Sequence, residues 1–331
     1  MKLTHQIFYV LVLAGAALAA DKSDKVEKKK PVPKGIKDPG VQRPYSNIHP
    51  DAVFPVPGNP DWVLILPDSV WIGNKPSNTV TRLDPKTNKV VATIPVGKLP
   101  CSGLAGGFGS VWVPICEDKT LVRVDLATNK IVATIPLGPA DTEGGITASE
   151  DSIWYLTDPK GVLSRIDPAT NKAVAEIVVP PGSYTAVYGE GAVWVTSTET
   201  STLTKVDPKT NLVTATIKVG PKPRFLAVGE GAVWTLNQGD GSVTKVDPKT
   251  NKVLATIETG VPGPGGDIAA GEGSVWVTME QVPLMRIDVI TNKVVQQWTG
   301  PGGDSLRAGS GSVWVTNHEQ QNVWRVNPKQ P

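Results

Sequence analysis

His318 and Glu319 form the one adjacent pair in this sequence that could run acid–base chemistry near neutral pH. An imidazole titrates in that range, and a neighbouring carboxyl can hold or tune it. Glu280 is the other carboxyl considered for the same work. The plain alternative is a loop histidine with no catalytic task. The chain has 3 histidines, and only His49 and His318 lie beyond the N-terminal apolar stretch. A two-histidine metal centre therefore cannot be assembled from the body, and the identity of any metal stays unknown. Cys101 and Cys116 are the 2 cysteines. They are too few for a structural zinc site and read as a disulfide in an exported protein. No Gly-x-Ser-x-Gly, P-loop or dinucleotide fingerprint occurs in a strand–helix context.

The elements that must position these residues are set by a repeat. Tryptophans at Trp71, Trp112, Trp154, Trp194, Trp234, Trp276 and Trp314 recur about every 40 residues, each flanked by apolar, mostly β-branched neighbours. An Asp- or Asn-led turn follows each, as in Asp84-Pro85-Lys86-Thr87-Asn88 and Asp207-Pro208-Lys209-Thr210-Asn211. Asp accepts backbone N–H bonds there, Pro presets φ, and Asn tolerates the left-handed conformation. Every unit parses into four short strands, a to d, with strand d outermost because it tolerates proline (Pro95, Pro136). The fold class is all-β: a seven-bladed β-propeller of four-stranded antiparallel blades. The seventh copy stops after strand c at Trp324–Val326, so Ala52–Val56 is expected to complete that blade and close the ring.

Two faces then differ. The a–b turns (Gly189-Glu190-Gly191, Gly229-Glu230-Gly231) and the c–d turns are nearly uniform, whereas the d–a and b–c loops change in every blade. Variable loops on a rigid frame are where binding residues sit. The expected ligand-binding set on that face is Trp62, Asn74, Tyr184, Arg224, Asn237, Asp267, Asp304, Arg307 and Asn317, with Asp61, Lys75, Ser102, Asp158 and Gln238 at the same strand ends. Arg307 is singular, because its equivalents are Leu64, Ala105, Thr147, Val187, Ala227 and Ala269. A charge there lines the channel or pairs with Asp267 or Asp304. The repeat tryptophans read as core wedges rather than a stacking ring. Basic residues one per blade (Arg82, Arg123, Arg165, Lys205, Lys245, Arg286, Arg325) read as surface or inter-blade ion pairs.

Composition bounds the rest. With 40% apolar residues, 33 Gly and 30 Pro, the chain can bury a core through many turns. Formal net charge is +2, but residues 21–50 carry eight bases against four acids, leaving the body slightly acidic. A nucleic-acid partner is not expected for the body, while the basic tail could touch an anionic envelope. Residues 1–19 read as a signal peptide with cleavage after Ala17-Leu18-Ala19, and 20–50 as a Lys/Pro-rich flexible linker before a propeller over 51–331. The expected protein is exported, periplasmic or secreted, and monomeric.

The run Asn78–Gly97, with Val313-Trp314-Val315-Thr316-Asn317, resembles the YVTN-type β-propeller repeats of bacterial exported proteins. A related branch is the streptogramin (virginiamycin B) lyases, seven-bladed propellers that open a cyclic depsipeptide with a histidine base and Mg²⁺. Two readings follow. The favoured one is a binding or interaction scaffold without cofactor, holding a small molecule, peptide or protein on the variable face. The alternative, implied by the resemblance, is a Mg²⁺-dependent carbon–oxygen lyase using His318, Glu319 and Glu280, where His318 alone could match the family's histidine.

Overall fold

The Asp-led turn is the local device that makes each hairpin. In the fourth copy Asp207 Oδ1 accepts the Lys209 N–H at 2.8 Å, and Asp247 does the same for Lys249. The turn ends on an asparagine in the left-handed region, with φ of 54° at Asn88 and 59° at Asn211. Strands of alternating or wholly apolar character follow on either side, and the hairpins stack into four-stranded sheets.

The computed structural model describes Gly35, Asp38 and residues 40–331 apart from Pro57, Thr142 and Gln330. The expected signal segment and most of the tail lie outside the described residues. Seven antiparallel sheets are present, and blade 4 shows the pattern: Ser183–Gly189, Ala192–Ser197, Thr202–Asp207 and Leu212–Lys218 as strands a to d. In blade 7, Ala52–Pro55 pairs antiparallel with Asn322–Val326, so the N-terminal strand closes the ring as the sequence implied.

Tryptophan is what the blades pack on. All seven repeat tryptophans are buried to 1% exposure or less. A cation from strand c of the same blade lies over each ring, Arg123 at 4.8 Å from the Trp112 centroid being the shortest approach. The same guanidinium donates to Pro168 O and Asn171 Oδ1 in the next blade's turn. Arg325 likewise reaches Pro85 O and Asn88, joining blade 7 to blade 1. Arg82, Arg123, Arg165, Lys205, Lys245 and Arg325 are thus inter-blade ties, but their partners across the seam are carbonyls and amides rather than the carboxylates expected, and Arg286 bonds to Ser274 of its own blade. Among the described residues, Arg165 is the one of them that also pairs with a carboxylate, Asp151.

One segment departs from the expectation of a flexible linker over 20–50. Gln42–Pro44 adds a parallel strand to strand d of blade 6, pairing Gln42 with Gln297 and Arg43 with Trp298. Tyr45 and Ile48 are buried, and the Tyr45 ring stacks on Trp324 at 4.7 Å. Averaged composition hid these few apolar residues among lysines and prolines. Strand d is consequently not an edge in blade 6.

Cys101 and Cys116 are disulfide-bonded with Cα atoms 5.8 Å apart, tying the loop before strand a of blade 2 to the loop after strand b.

Candidate functional site

Register aligns the blades residue by residue. Leu64, Ala105, Thr147, Val187, Ala227, Ala269 and Arg307 each pair with their blade's tryptophan. Counting back three positions from these gives Asp61, Ser102, Gly144, Tyr184, Arg224, Gly266 and Asp304 at the mouth of strand a. Counting back two gives Trp62, Gly103, Gly145, Thr185, Phe225, Asp267 and Ser305. Scaffold demands repeat from blade to blade, but these two rings do not repeat. A pocket of about 90 Å³ lies among them, lined by members of both rings from blades 1, 5, 6 and 7 together with Glu143 and Gly265. At Gly266 an added Cβ would meet Thr278 O at 1.8 Å, so a side chain there would collide with the backbone of strand b.

Four positions after the tryptophan comes the first residue of the b–c loop in blades 7 and 1, His318 and Lys75. These two flank Asp61. His318 Nε2 lies 3.0 Å from Asp304 Oδ2 and 4.0 Å from Asp61 Oδ1. Lys75 Nζ lies 2.7 Å from Asp61 Oδ2 and 3.0 Å from Glu143 Oε1. Glu143 Oε2 accepts from Arg224 Nη2 at 2.5 Å, and the same nitrogen donates to the Tyr184 hydroxyl. A chain of alternating charge therefore runs from Asp304 to Arg224 and ends on the Tyr184 hydroxyl, through blades 7 and 1, the loop between blades 2 and 3 that carries Glu143, and blades 5 and 4. Beside it, Arg307 Nη1 donates to Asp267 Oδ2 at 2.5 Å, and the Ser305 hydroxyl and the N–H groups of Ile268 and Leu306 also donate to that carboxylate.

Burial and neighbours separate the titrations. Burial pushes the Asp61 carboxyl up to about 7, the Asp304 charge adds to the rise, and Lys75 and His318 oppose it. Asp304 is held below the usual carboxylate range: burial works against this, but its hydrogen bond to His318 and that residue's charge outweigh it. His318 is raised, since Asp304 and Asp61 overcome the desolvation that would lower it. The result is one acid near neutrality beside an imidazole biased toward its protonated form. Asp61, Asp304 and His318 also present three ligand atoms all within 4.8 Å of one another.

The expected site residues fall into two groups. Trp62, Tyr184, Arg224, Asp267, Asp304, Arg307 and His318 converge as described, with Trp62 buried and edge-on to Phe225 at 5.8 Å. Asn74, Asn237 and Asn317 do not line the pocket; the amides of Asn74 and Asn237 bond within their own blades, to Thr79 and Thr81 and to Ser242 and Thr244, while Asn317 donates to Asn322 and accepts from the Tyr45 hydroxyl and the Gly303 N–H. Glu319 and Glu280 are exposed and outside the donor group around His318. The carboxyls facing His318 come from the strand a mouths of blades 7 and 1, because Asn317 ends its strand and the turn carries Glu319 away. Phe225 and Glu143 were not singled out from sequence. Phe225 shares Trp62's position in the repeat, which is a readable signal; Glu143 sits in a loop with no counterpart.

Comparison with known proteins bears first on the fold. The glutamine cyclotransferase family profile matches residues 113–263. No curated protein matches the chain in sequence. Among solved structures, a streptogramin B lyase superposes with a TM-score of 0.69 at 17% identity, over 83% of this chain and 94% of that one. A catalytically inactive His-to-Ala variant of virginiamycin B lyase from Staphylococcus aureus, with quinupristin, gives 0.68 at 15% identity, over 81% and 94%. Hydrazine synthase from Kuenenia stuttgartiensis gives 0.71 at 16%, over 83% and 97%. These likenesses establish a propeller shared with the streptogramin B lyases.

Proposed function

We propose that this chain is an exported propeller whose variable-face pocket binds a small ligand. The observation carrying the reading is that the two rings at the strand a mouths, invariant nowhere around the ring, converge on one pocket walled by charge and aromatic rings. The opposite face consists of stereotyped turns. The experiment is a thermal-shift screen of a metabolite library, since a ligand that binds only the folded state raises its stability. Hits should be weakened by Trp62→Ala, Arg224→Ala or His318→Ala and left intact by Glu190→Ala or Lys209→Ala on the uniform face. Hits lost only with Glu190 or Lys209 would place the site on the wrong face.

A second reading, acid–base lyase chemistry, is favoured by one observation, the contact of His318 with Asp304 beside the raised Asp61. The fold shared with streptogramin B lyases supports it, with Asp304 and Asp61 in place of Glu319 and Glu280. The glutamine cyclotransferase profile gives it no support at these residues, because 113–263 excludes Asp61, Lys75, Asp304 and His318. A divalent cation, which this reading implies, would find carboxylate donors in Asp61 and Asp304 once Lys75 yields its hold on Asp61, with the His318 imidazole beside them left free to carry a proton. When bound it would supply Lewis acidity. His318 would hold or move a proton at Nε2, and Asp304 would orient the ring. Under this reading His318→Ala abolishes turnover, and so does chelation of the unmutated protein.

A further inference from the structure

We propose that the pocket takes the ammonium head of an amine, seated against Trp62 and Phe225; the inference rests on the ligand-binding reading above and names its ligand class. The pocket wall is one-sided in charge. Asp61, Glu143, Asp267 and Asp304 all line it, and no lysine, arginine or histidine does. The cations that pair with those carboxyls, Lys75, Arg224, Arg307 and His318, stand outside the lining. An anionic head would enter against this wall of four carboxyls, whose cations stand behind them. An ammonium group answers it through charge-assisted hydrogen bonds.

Two further features fit the same guest. The Trp62 and Phe225 rings meet at 62°, giving a corner of aromatic surface of the kind that attracts organic cations. The Trp62 indole N–H is buried without a partner, so an acceptor on the ligand near its ammonium would satisfy a donor the fold leaves unpaired. Size sets the remaining limit. About 90 Å³ admits a head group and not a whole ligand. The side chains of Glu143 and Asp304 remain 35% and 33% exposed, so the amine's body extends toward solvent past them.

The test is calorimetric titration of the full chain with n-butylammonium, n-butanol and butyrate, matched in length and differing in charge. The amine should bind saturably and at least tenfold more tightly than the alcohol, with no binding of butyrate. Asp304→Asn and Trp62→Leu should each weaken the amine about tenfold, and Trp62→Phe should restore much of the loss, with far-UV circular dichroism unchanged. Alcohol or butyrate binding as tightly as the amine overturns the ammonium assignment. So does failure of the amine to bind while library hits still map to the pocket. If no library hit maps there, the ligand-binding reading itself fails and takes this inference with it.

Discussion

At the scale of single residues, Asp61 is the strained group. A carboxyl raised from its unfolded value to about 7 keeps a proton in the native state that the unfolded chain releases. Stability from this group is therefore lost as pH climbs from about 4 to 7. Asp61→Asn removes that dependence and leaves Lys75 its second partner, Glu143. Thermal melts should show the variant gaining on the wild type between pH 5 and pH 8; an unchanged or shrinking difference would contradict the raised carboxyl. His318, also raised, acts in the same direction, since its stabilisation is present below its unfolded value and lost as pH rises through the folded one. Asp61→Asn takes away one of the charges that raise it, so the variant also loses less of this stability as pH rises, which adds to the expected gain. Much of this cluster was legible in sequence. Asp61, Lys75, Asp304 and His318 all stand at strand ends where the repeat is broken. Their pairing was not legible, because adjacency in sequence favoured Glu319 while the ring brings blade 7 against blade 1.

At the scale of elements, turns and strands were readable because each repeats seven times and each copy checks the others. The strap was not, since Gln42–Ile48 occurs once and is outnumbered by polar neighbours. Its contribution to stability is testable. Tyr45 is 4% exposed, stacked on Trp324, and donates to Asn317. Tyr45→Ala should cost about 3 kcal/mol, the scale of removing a buried aromatic. Denaturant unfolding measures it, and a change under 0.5 kcal/mol would mean the segment is the loose linker its composition suggested. Deleting residues 52–56 should be worse, because blade 7 then loses a whole strand and the ring its closure.

At the scale of the molecule, one face is shaped by folding and the other is free to vary. Arginines and lysines tie the turns of blades 1 to 6 to their neighbouring blades on the uniform side, so substitutions in that pattern act on stability. The two rings at the strand a mouths carry no such repeated duty, yet they converge on a single charged pocket. That asymmetry is the central claim, and locating a bound ligand tests it most directly. A crystal structure with a hit from the thermal-shift screen should show ligand density against Trp62 and Phe225, within contact of Asp304. Density on the a–b and c–d turns, or along the outer strands, with the pocket unchanged, would contradict it.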